Sequence, residues 1–359
     1  SYTMERICET LMLLRTKYRF NGYIHVKAIP GAPDELLSRA GYLADRVSIN
    51  LELPTAQSLS KLAPNKSFKT ILEPMEKITG TIAANRLALG KDARMERSSI
   101  NRYLTGSIFN QNGTHNGQAA LSGTQRTALE SGDKLSLPAV SKDMCVKRPF
   151  APAGQSTQMI IGATPETDLT LIRTTQHLYK NYDLKRVFYS AYIPLNEDSA
   201  LPQLDADVPL LREHRLYQAD WLLRFYGFQA DELLSESRPN FNEQLDPKCD
   251  WAIRHLGQFP VEVQNASYDM LLRIPGIGPK SARRIVETRR YAKLDFDILK
   301  KIGVVLKRAH YFITCNGRMM YRIPIEESYI TSCLTDDNHK ENWEITHQNE
   351  KYHQLSLFE

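Results

Sequence analysis

The sequence predicts an α/β protein: a partial (β/α) barrel followed by a separate, smaller helical module. Two observations support the first part: predicted strands alternate with predicted helices along the chain, and each strand is apolar on one side and polar on the other. A third observation, a short basic stretch with helical spacing near the C terminus, supports the second part. The chain has 359 residues, 42% of them apolar, which is enough to bury a sizeable core.

The spacing of apolar residues predicts the elements of the barrel in order. Residues 3–18 have helical spacing, and the next segment alternates, with Val26 on one side and His25 and Lys27 on the other. Residues 47–53 alternate in the same way and place Ser48, Asn50 and Glu52 on the polar side. Further helices are predicted at 34–43, 55–63, 69–89, 166–180 and 212–228, and further strands at 158–163 and 187–193.

The polar side of these strands bears on the architecture. A parallel sheet covered by helices on both sides is apolar on both faces. Burying polar groups without partners costs roughly 1–3 kcal/mol each. We therefore expect a curved sheet whose concave side holds solvent, cofactor and substrate. A sheet with one solvated face is the alternative.

Composition divides the rest of the chain. Ser, Thr, Gly, Asn and Gln make up 23 of the 44 residues from 98 to 141, which predicts a flexible insertion at 94–147 within the barrel, whose two parts are then 1–93 and 148–258. The polar run SRPNFNEQLDPK (237–248) predicts a linker at the end of the second part. A new module is expected at 259–316, and a tail at 317–359.

The strongest local pattern is LLRIPGIGPKSARRIV at 271–286, an apolar helical turn, a Pro-Gly bend and a second helix. It resembles a helix-hairpin-helix DNA-binding motif. Glycines permit close approach to a ligand, and the free amides at the start of the second helix suit a phosphate. The predicted DNA contacts are Gly276, Ile277, Gly278, Lys280, Ser281, Arg283, Arg284 and Lys307.

A second copy of the pattern follows at 298–313, offset by 27 residues, and matches Gly303 to Gly276 and Lys307 to Lys280. Val305 replaces Gly278, so we expect this copy to serve more in packing. Residues 271–310 contain eleven Lys and Arg against three acidic residues, whereas the whole chain carries only +5. Backbone contacts of this kind predict binding that is independent of sequence and weakens with salt. A tight turn that merely packs is the alternative.

Helix-hairpin-helix glycosylases place a catalytic lysine where Lys280 stands and an aspartate further along the chain. Asp295 and Asp297 are the nearby carboxylates, and their pattern indicates the start of the next helix rather than a buried base. A glycosylase or lyase is therefore the less favoured enzyme class.

Several longer strings, IIGATPETD (160–168), RVFYSAYIP (186–194) and REHRLYQADWLLRFYGF (212–228), together with the terminal hairpin, resemble one family. It comprises DNA modification or repair radical SAM proteins with a C-terminal helix-hairpin-helix. The resemblance covers about 1–93 and 146–316. It implies a partial barrel of radical SAM type, incomplete here at its N terminus, which binds a four-iron four-sulfur cluster and S-adenosylmethionine and generates a 5′-deoxyadenosyl radical to act on nucleic acid.

The resemblance also implies a set of cofactor-binding residues: Ser48, Asn50, Glu52, Gly162, Glu166 and Ser190. The family's cluster is held by three cysteines in a CxxxCxxC loop. This chain has five widely separated cysteines and no such triad. We therefore expect the loop to lie upstream of Ser1 and this chain alone to be inactive. A non-catalytic DNA-binding adaptor built on a degenerate barrel is the alternative.

The last residues, HQLSLFE, resemble the short peptide by which bacterial proteins dock on the β sliding clamp, with Gln354, Leu355, Leu357 and Phe358 as contacts. A partner similar to uracil-DNA glycosylase is a further expectation. No run of about 18 apolar residues and no secretory signal occurs, which predicts a cytoplasmic protein without a membrane partner.

Overall fold

A computed structural model describes residues 2–89, 148–195 and 197–335, and the chain divides into two compact units, Ser1–Phe241 and Asn242–Glu359. The predicted insertion at 94–147 and the predicted clamp-binding peptide lie outside the described residues.

The first unit is an α/β structure. Its helices are α1 (Tyr2–Thr16), α2 (Asp34–Leu43), α3 (Ala56–Leu62), α4 (Phe68–Ala88), α5 (Asp168–Tyr182), α6 (Leu210–Phe225) and α7 (Ala230–Leu233). Its strands are β1 (His25–Lys27), β2 (Arg46–Ser48), β3 (Gln155–Ile161) and β4 (Arg186–Ala191). Within the described residues these strands form one parallel sheet in the order β1-β2-β3-β4. The predicted α/β alternation is present, whereas closure into a barrel stays a prediction.

Local sequence signals explain where the helices begin. The hydroxyl of Thr167 caps α5 by accepting from the N–H of Thr170, and Ser67 and Thr70 form a reciprocal capping box on α4. Helix α4 packs against β3, where the amide of buried Gln155 donates to Thr79 and to the carbonyl of Met75. These contacts satisfy the side-chain NH2 of Gln155, whereas its Oε1 is buried and has no hydrogen-bond partner among the described residues.

The two faces of the sheet differ as the sequence predicts. One face is apolar and contains Val26, Val47, Met159, Val187 and Tyr189, all at most 5% exposed. Residues paired across the strands place the polar set on the other face: His25, Lys27, Arg46, Ser48, Ser156, Gln158, Arg186 and Ser190.

Strand β2 is shorter than the predicted segment 47–53, because the ladder is interrupted at Leu51, beyond the bond from Ile49 N–H to the Ser156 carbonyl at 3.3 Å. The N–H of Leu51 donates to the hydroxyl of Thr157 instead of a backbone carbonyl, at 2.8 Å. Glu52 then adopts a left-handed backbone with φ of 67° and pairs with Met159 through an isolated bridge. The strand therefore ends in a bend that alternation alone does not reveal.

The second unit is mainly helical. It contains α8 (Pro247–Arg254), a 3₁₀ turn (Leu256–Gln258), β5 (Val261–Glu262), α9 (Tyr268–Arg273), α10 (Pro279–Thr288), α11 (Phe296–Lys301), α12 (Leu306–Ala309), β6 (Ile313–Thr314) and α13 (Glu327–Thr335). Strands β5 and β6 pair in parallel. The unit starts at Asn242, so α8 belongs to it, whereas the sequence pattern predicts a linker at 237–248 and the start of the new module at 259.

The helices of the described ranges are too short or too polar to span a membrane, because none of them combines the length and the apolar content that crossing a bilayer requires.

Candidate nucleic-acid interface

The first hairpin joins α9 to α10 and follows directly from its sequence. Ser267 caps α9 by accepting from the N–H of Met270 at 3.1 Å. Helix α10 starts with Pro279 as its first residue, a position where the missing N–H costs nothing. Gly278 is the N-cap and has no side chain to satisfy the first amides of the helix.

The start of α10 therefore keeps donors available. Within the described part of the chain, the N–H groups of Gly278, Lys280 and Ser281 make no hydrogen bond. The first N–H groups of any helix lack intrahelical partners, and the helix dipole adds partial positive charge there. An anion can accept from these groups, which is the arrangement that the sequence predicts.

Gly276 has a different role from the predicted one. Its φ is +81°, and a Cβ at this position would lie 2.5 Å from the carbonyl oxygen of Val305. The N–H of Val305 donates to the carbonyl of Gly276 at 2.9 Å. In the structure, the close approach that requires this glycine is to the second hairpin, and a contact of Gly276 with DNA stays a prediction.

Some of the side chains predicted to contact DNA are exposed, and others are buried or hydrogen-bonded within the chain. Lys280 and Arg283 are exposed. Arg284 is exposed too, but it donates to the carbonyl of Ile302 at 3.0 Å. Ser281 is 7% exposed and its hydroxyl donates to the carbonyl of Gly303 at 2.7 Å, while Ile277 is 1% exposed. Ser281 and Ile277 therefore offer a ligand their main chain only, and Lys280 and Arg283 are the cations best placed beside the open amides.

The second hairpin, between α11 and α12, uses its amides internally. Gly303 N–H donates to Lys300, Val304 N–H to Leu299 and Val305 N–H to Gly276, at 2.9–3.1 Å. Lys307 is exposed on α12, a single helical turn. These bonds agree with the packing role expected from Val305, and they leave the first hairpin as the candidate phosphate site.

Helix α8, which the sequence pattern does not predict, contacts the first hairpin through a buried lysine. The Nζ of Lys248 donates to the carbonyl of Ile277 at 2.6 Å. Asp246 caps α8 by accepting from two N–H groups and pairs with Arg308 of α12 at 2.9 Å. The Asp246-Pro247 pair, an N-cap followed by proline at the first helical position, is the signal that identifies this helix.

The two carboxylates considered for glycosylase chemistry are exposed. Asp295 caps α11 by accepting from the N–H of Ile298 at 2.7 Å, as the sequence predicts, and Asp297 lies in the first turn of that helix. Neither has the buried environment that suits a base facing a flipped nucleotide.

The first unit has its own candidate ligand site on the polar face of the sheet. A cleft of about 170 Å³ is lined by His25, Lys27, Ser48, Asn50, Thr157, Gln158 and Phe188. Asn50 donates to the side-chain oxygen of Gln158 at 3.2 Å. Burial, followed by the nearby charge of Arg46, lowers the pKa of His25, which favours a neutral imidazole. The cleft therefore combines hydroxyl, amide and cationic groups.

Of the residues expected to bind the cofactor, Ser48 and Asn50 line this cleft, and Ser190 lies on the same sheet face. Glu52 is paired with Lys66 at 2.7 Å. Burial alone would raise the pKa of Glu166, but hydrogen bonds from Ser58, Thr164 and Thr55 outweigh it and lower the pKa. Gly162 has φ of +88°, and a Cβ there would meet Pro209 at 2.7 Å. Glu52 and Glu166 are thus occupied by contacts within the chain.

In ranges 2–89, 148–195 and 197–335, no three His, Cys, Asp or Glu side chains come together in a way that fits a metal ion. The described residues therefore do not fit an iron-sulfur cluster.

Comparison with protein families matches residues 261–288 to the helix-hairpin-helix motif. This range spans β5, α9, the first bend and α10. Neither curated proteins nor solved structures gave a match to the chain.

Proposed function

We propose that this chain binds DNA through the first hairpin of its second unit, by contacts to the phosphate backbone and without base specificity. The open amides at the start of α10 carry the proposal. The matched motif is consistent with nucleic-acid binding. Because a main-chain N–H and an exposed lysine contact phosphate oxygens equally in any sequence, the affinity is expected to depend on salt rather than on base order.

The geometry favours an anion over a neutral ligand. Donors from Gly278, Lys280 and Ser281 lie within one helical turn, and the ammonium of Lys280 and the guanidinium of Arg283 are exposed on that same helix. The helix dipole stabilises negative charge at this end.

The test is the affinity of the full chain for a fluorescein-labelled duplex, measured by anisotropy as KCl is increased. Lys280→Gln is expected to weaken binding about three- to tenfold for every duplex sequence and to reduce the salt slope by about 1. Lys61→Gln is the matched control, since Lys61 is an exposed lysine of α3 in the first unit.

An unchanged salt slope in Lys280→Gln, or an equal loss in Lys61→Gln, would contradict the proposal. A strong preference among unrelated duplex sequences would contradict the absence of base readout.

We also propose that the polar cleft of the first unit binds S-adenosylmethionine, so that the protein acts on DNA in repair or base modification. Its support is the resemblance of the barrel strings together with the lining of the cleft. Ser48 and Asn50 offer a hydroxyl and an amide suited to ribose hydroxyls, and Lys27 offers an ammonium suited to a carboxylate. When bound, the cofactor would supply radical chemistry only together with an iron-sulfur cluster, for which the described residues offer no ligand set.

Equilibrium dialysis with S-adenosylmethionine tests this second proposal. We expect saturable binding by the wild type and at least a fivefold loss in Asn50→Ala, about 1 kcal/mol for a lost hydrogen bond. Gln57→Ala, at an exposed position of α3, is the control. Equal binding by both variants would contradict the cleft as the S-adenosylmethionine site. The DNA-binding adaptor would then be the favoured function.

A further inference from the structure

A buried lysine lies directly behind the first hairpin. Lys248 is the second residue of α8 and is 8% exposed. Its Nζ donates to the carbonyl oxygen of Ile277 at 2.6 Å. Lysine is almost never buried to this degree without polar partners, because removing an ammonium from water is costly. This contact is therefore a fixed part of the hairpin.

The carbonyl that accepts this bond belongs to the same peptide group as the N–H of Gly278. That peptide is trans, so its C=O and N–H point in opposite directions. With the oxygen held by Lys248, the N–H of Gly278 is directed away from the ammonium, and it has no partner among the described residues. Rotation of this peptide would turn the donor away from a bound phosphate.

Building on the DNA-binding function proposed above, we propose that Lys248 is a positioning residue: its ammonium fixes the Ile277–Gly278 peptide so that the Gly278 N–H donates to a backbone phosphate. The positive charge also polarises the peptide, which strengthens the N–H as a donor. DNA affinity then depends on whether Lys248 carries its proton.

Charged and titratable groups from three elements face Lys248: Asp246 and Cys249 from α8 and its cap, Arg273 from α9 and Arg308 from α12. Burial lowers the pKa of Lys248 to about 7. Asp246 and Cys249 oppose this shift, whereas Arg273 and Arg308 add to it. The ammonium is therefore present below neutral pH and is lost above it, so DNA affinity is expected to fall as the pH rises.

The first experiment measures affinity for the labelled duplex from about pH 6 to pH 8.5 at constant ionic strength. We expect the affinity of the wild type to fall about five- to tenfold over this range, because a neutral amine donates a weaker hydrogen bond to the Ile277 carbonyl than the ammonium does and carries no charge to polarise the peptide. Lys248→Met should bind weakly with a flatter profile. Lys248→Arg keeps its charge and should also flatten the profile. Histidines generally titrate in this range, so the difference between the wild type and Lys248→Met is the quantity of interest.

A second measurement does not depend on how well that variant folds. Calorimetry in two buffers of different ionisation enthalpy reports proton uptake on DNA binding, because a state that binds better when protonated takes up protons. The histidines of the second unit within the described residues are His255 and His310. Uptake near pH 7 that persists in His255→Gln and in His310→Gln supports the role of Lys248, and its absence overturns it.

The outcomes separate this inference from the function on which it rests. If the double variant Gly278→Val/Lys280→Gln binds DNA as the wild type does, the hairpin is not the DNA site and the proposed function fails. If that variant loses affinity while Lys248→Met keeps both the affinity and the pH profile of the wild type, only the role of Lys248 is overturned.

Discussion

Two glycines of the same bend have separate tasks. Gly276 needs a positive φ and the absence of a Cβ, because the backbone of Val305 lies against it. Gly278 has φ of −100° and ψ of 173°, an extended conformation that any residue adopts. The backbone therefore does not require glycine at 278. A glycine there leaves the first amides of α10 uncapped, and this fits a site that receives its acceptor from outside the chain.

Gly278→Ser is expected to raise stability and lower DNA affinity together. The new hydroxyl can accept from the open N–H groups of α10, which stabilises the helix by about a few tenths of a kcal/mol and competes with a phosphate for the same donors. Urea unfolding and duplex anisotropy on the same preparation measure the two effects. Reduced stability, or unchanged affinity alongside increased stability, would contradict the assignment of these amides.

Gly276→Ala is the contrasting variant. It combines an unfavourable φ with a contact that is too short, so we expect a loss of about 1–3 kcal/mol in the free energy of unfolding. The sequence predicts both glycines as ligand contacts. It does not separate them, because the partner of Gly276 lies 29 residues further along the chain.

At the scale of elements, periodicity predicts the long helices well. The bounds predicted for α2 are those observed, and the other predicted helices of the first unit differ by three residues at most. The predicted length of β2 is too great, because the N–H of Leu51 donates to the hydroxyl of Thr157 and not to a backbone carbonyl. Helix α8 is missed, because a polar run of Asn, Gln, Pro and Asp is typical of a linker. Its apolar residues, such as Trp251, are buried by packing within the second unit, which the local sequence does not indicate.

Helix α8 carries a pH-dependent stability through Lys248. The unfolded chain keeps this proton up to the ordinary pKa of 10.5, whereas the folded protein releases it near pH 7. The unfolded state therefore binds more protons between these values, and the free energy of unfolding rises with pH. From about pH 7.5 to pH 8.5 we expect an increase of about 1 kcal/mol that is absent in Lys248→Met, measured by urea unfolding.

The range of this measurement is limited by a second buried group. Burial raises the pKa of the Cys249 thiol, so above its ordinary value of 9.0 this group lowers stability as the pH rises. A slope in Lys248→Met equal to that of the wild type below this value would contradict the buried position of the ammonium.

At the scale of the whole molecule, charge is distributed unevenly. The stretch 271–310 holds eleven of the chain's 46 basic residues and three of its 41 acidic ones. This asymmetry and the Pro-Gly pattern make the helix-hairpin-helix predictable from the sequence. The polar sheet face was predictable too, because alternation fixes which side chains share a face. The partners of Glu52 and Glu166 were not, since both depend on contacts between distant segments.

A further prediction concerns the C-terminal peptide HQLSLFE and rests on its sequence alone. Leu357→Ala with Phe358→Ala is expected to abolish retention of the full chain by a bacterial β sliding clamp, because two apolar anchors are removed from a short linear motif. A pull-down measures this, with Lys280→Gln as a variant that should keep its retention. Undiminished retention of the double variant would discard the clamp as a partner.

The central donor of the hairpin, the N–H of Gly278, belongs to the main chain. Every genetically encoded residue except proline supplies that group. Substitutions in the bend can therefore change its side chains without removing this donor. A replacement at residue 278 would then be tolerated unless its side chain blocks this N–H or accepts a hydrogen bond from it. The size of the side chain and its ability to cap α10 would decide this, rather than its charge.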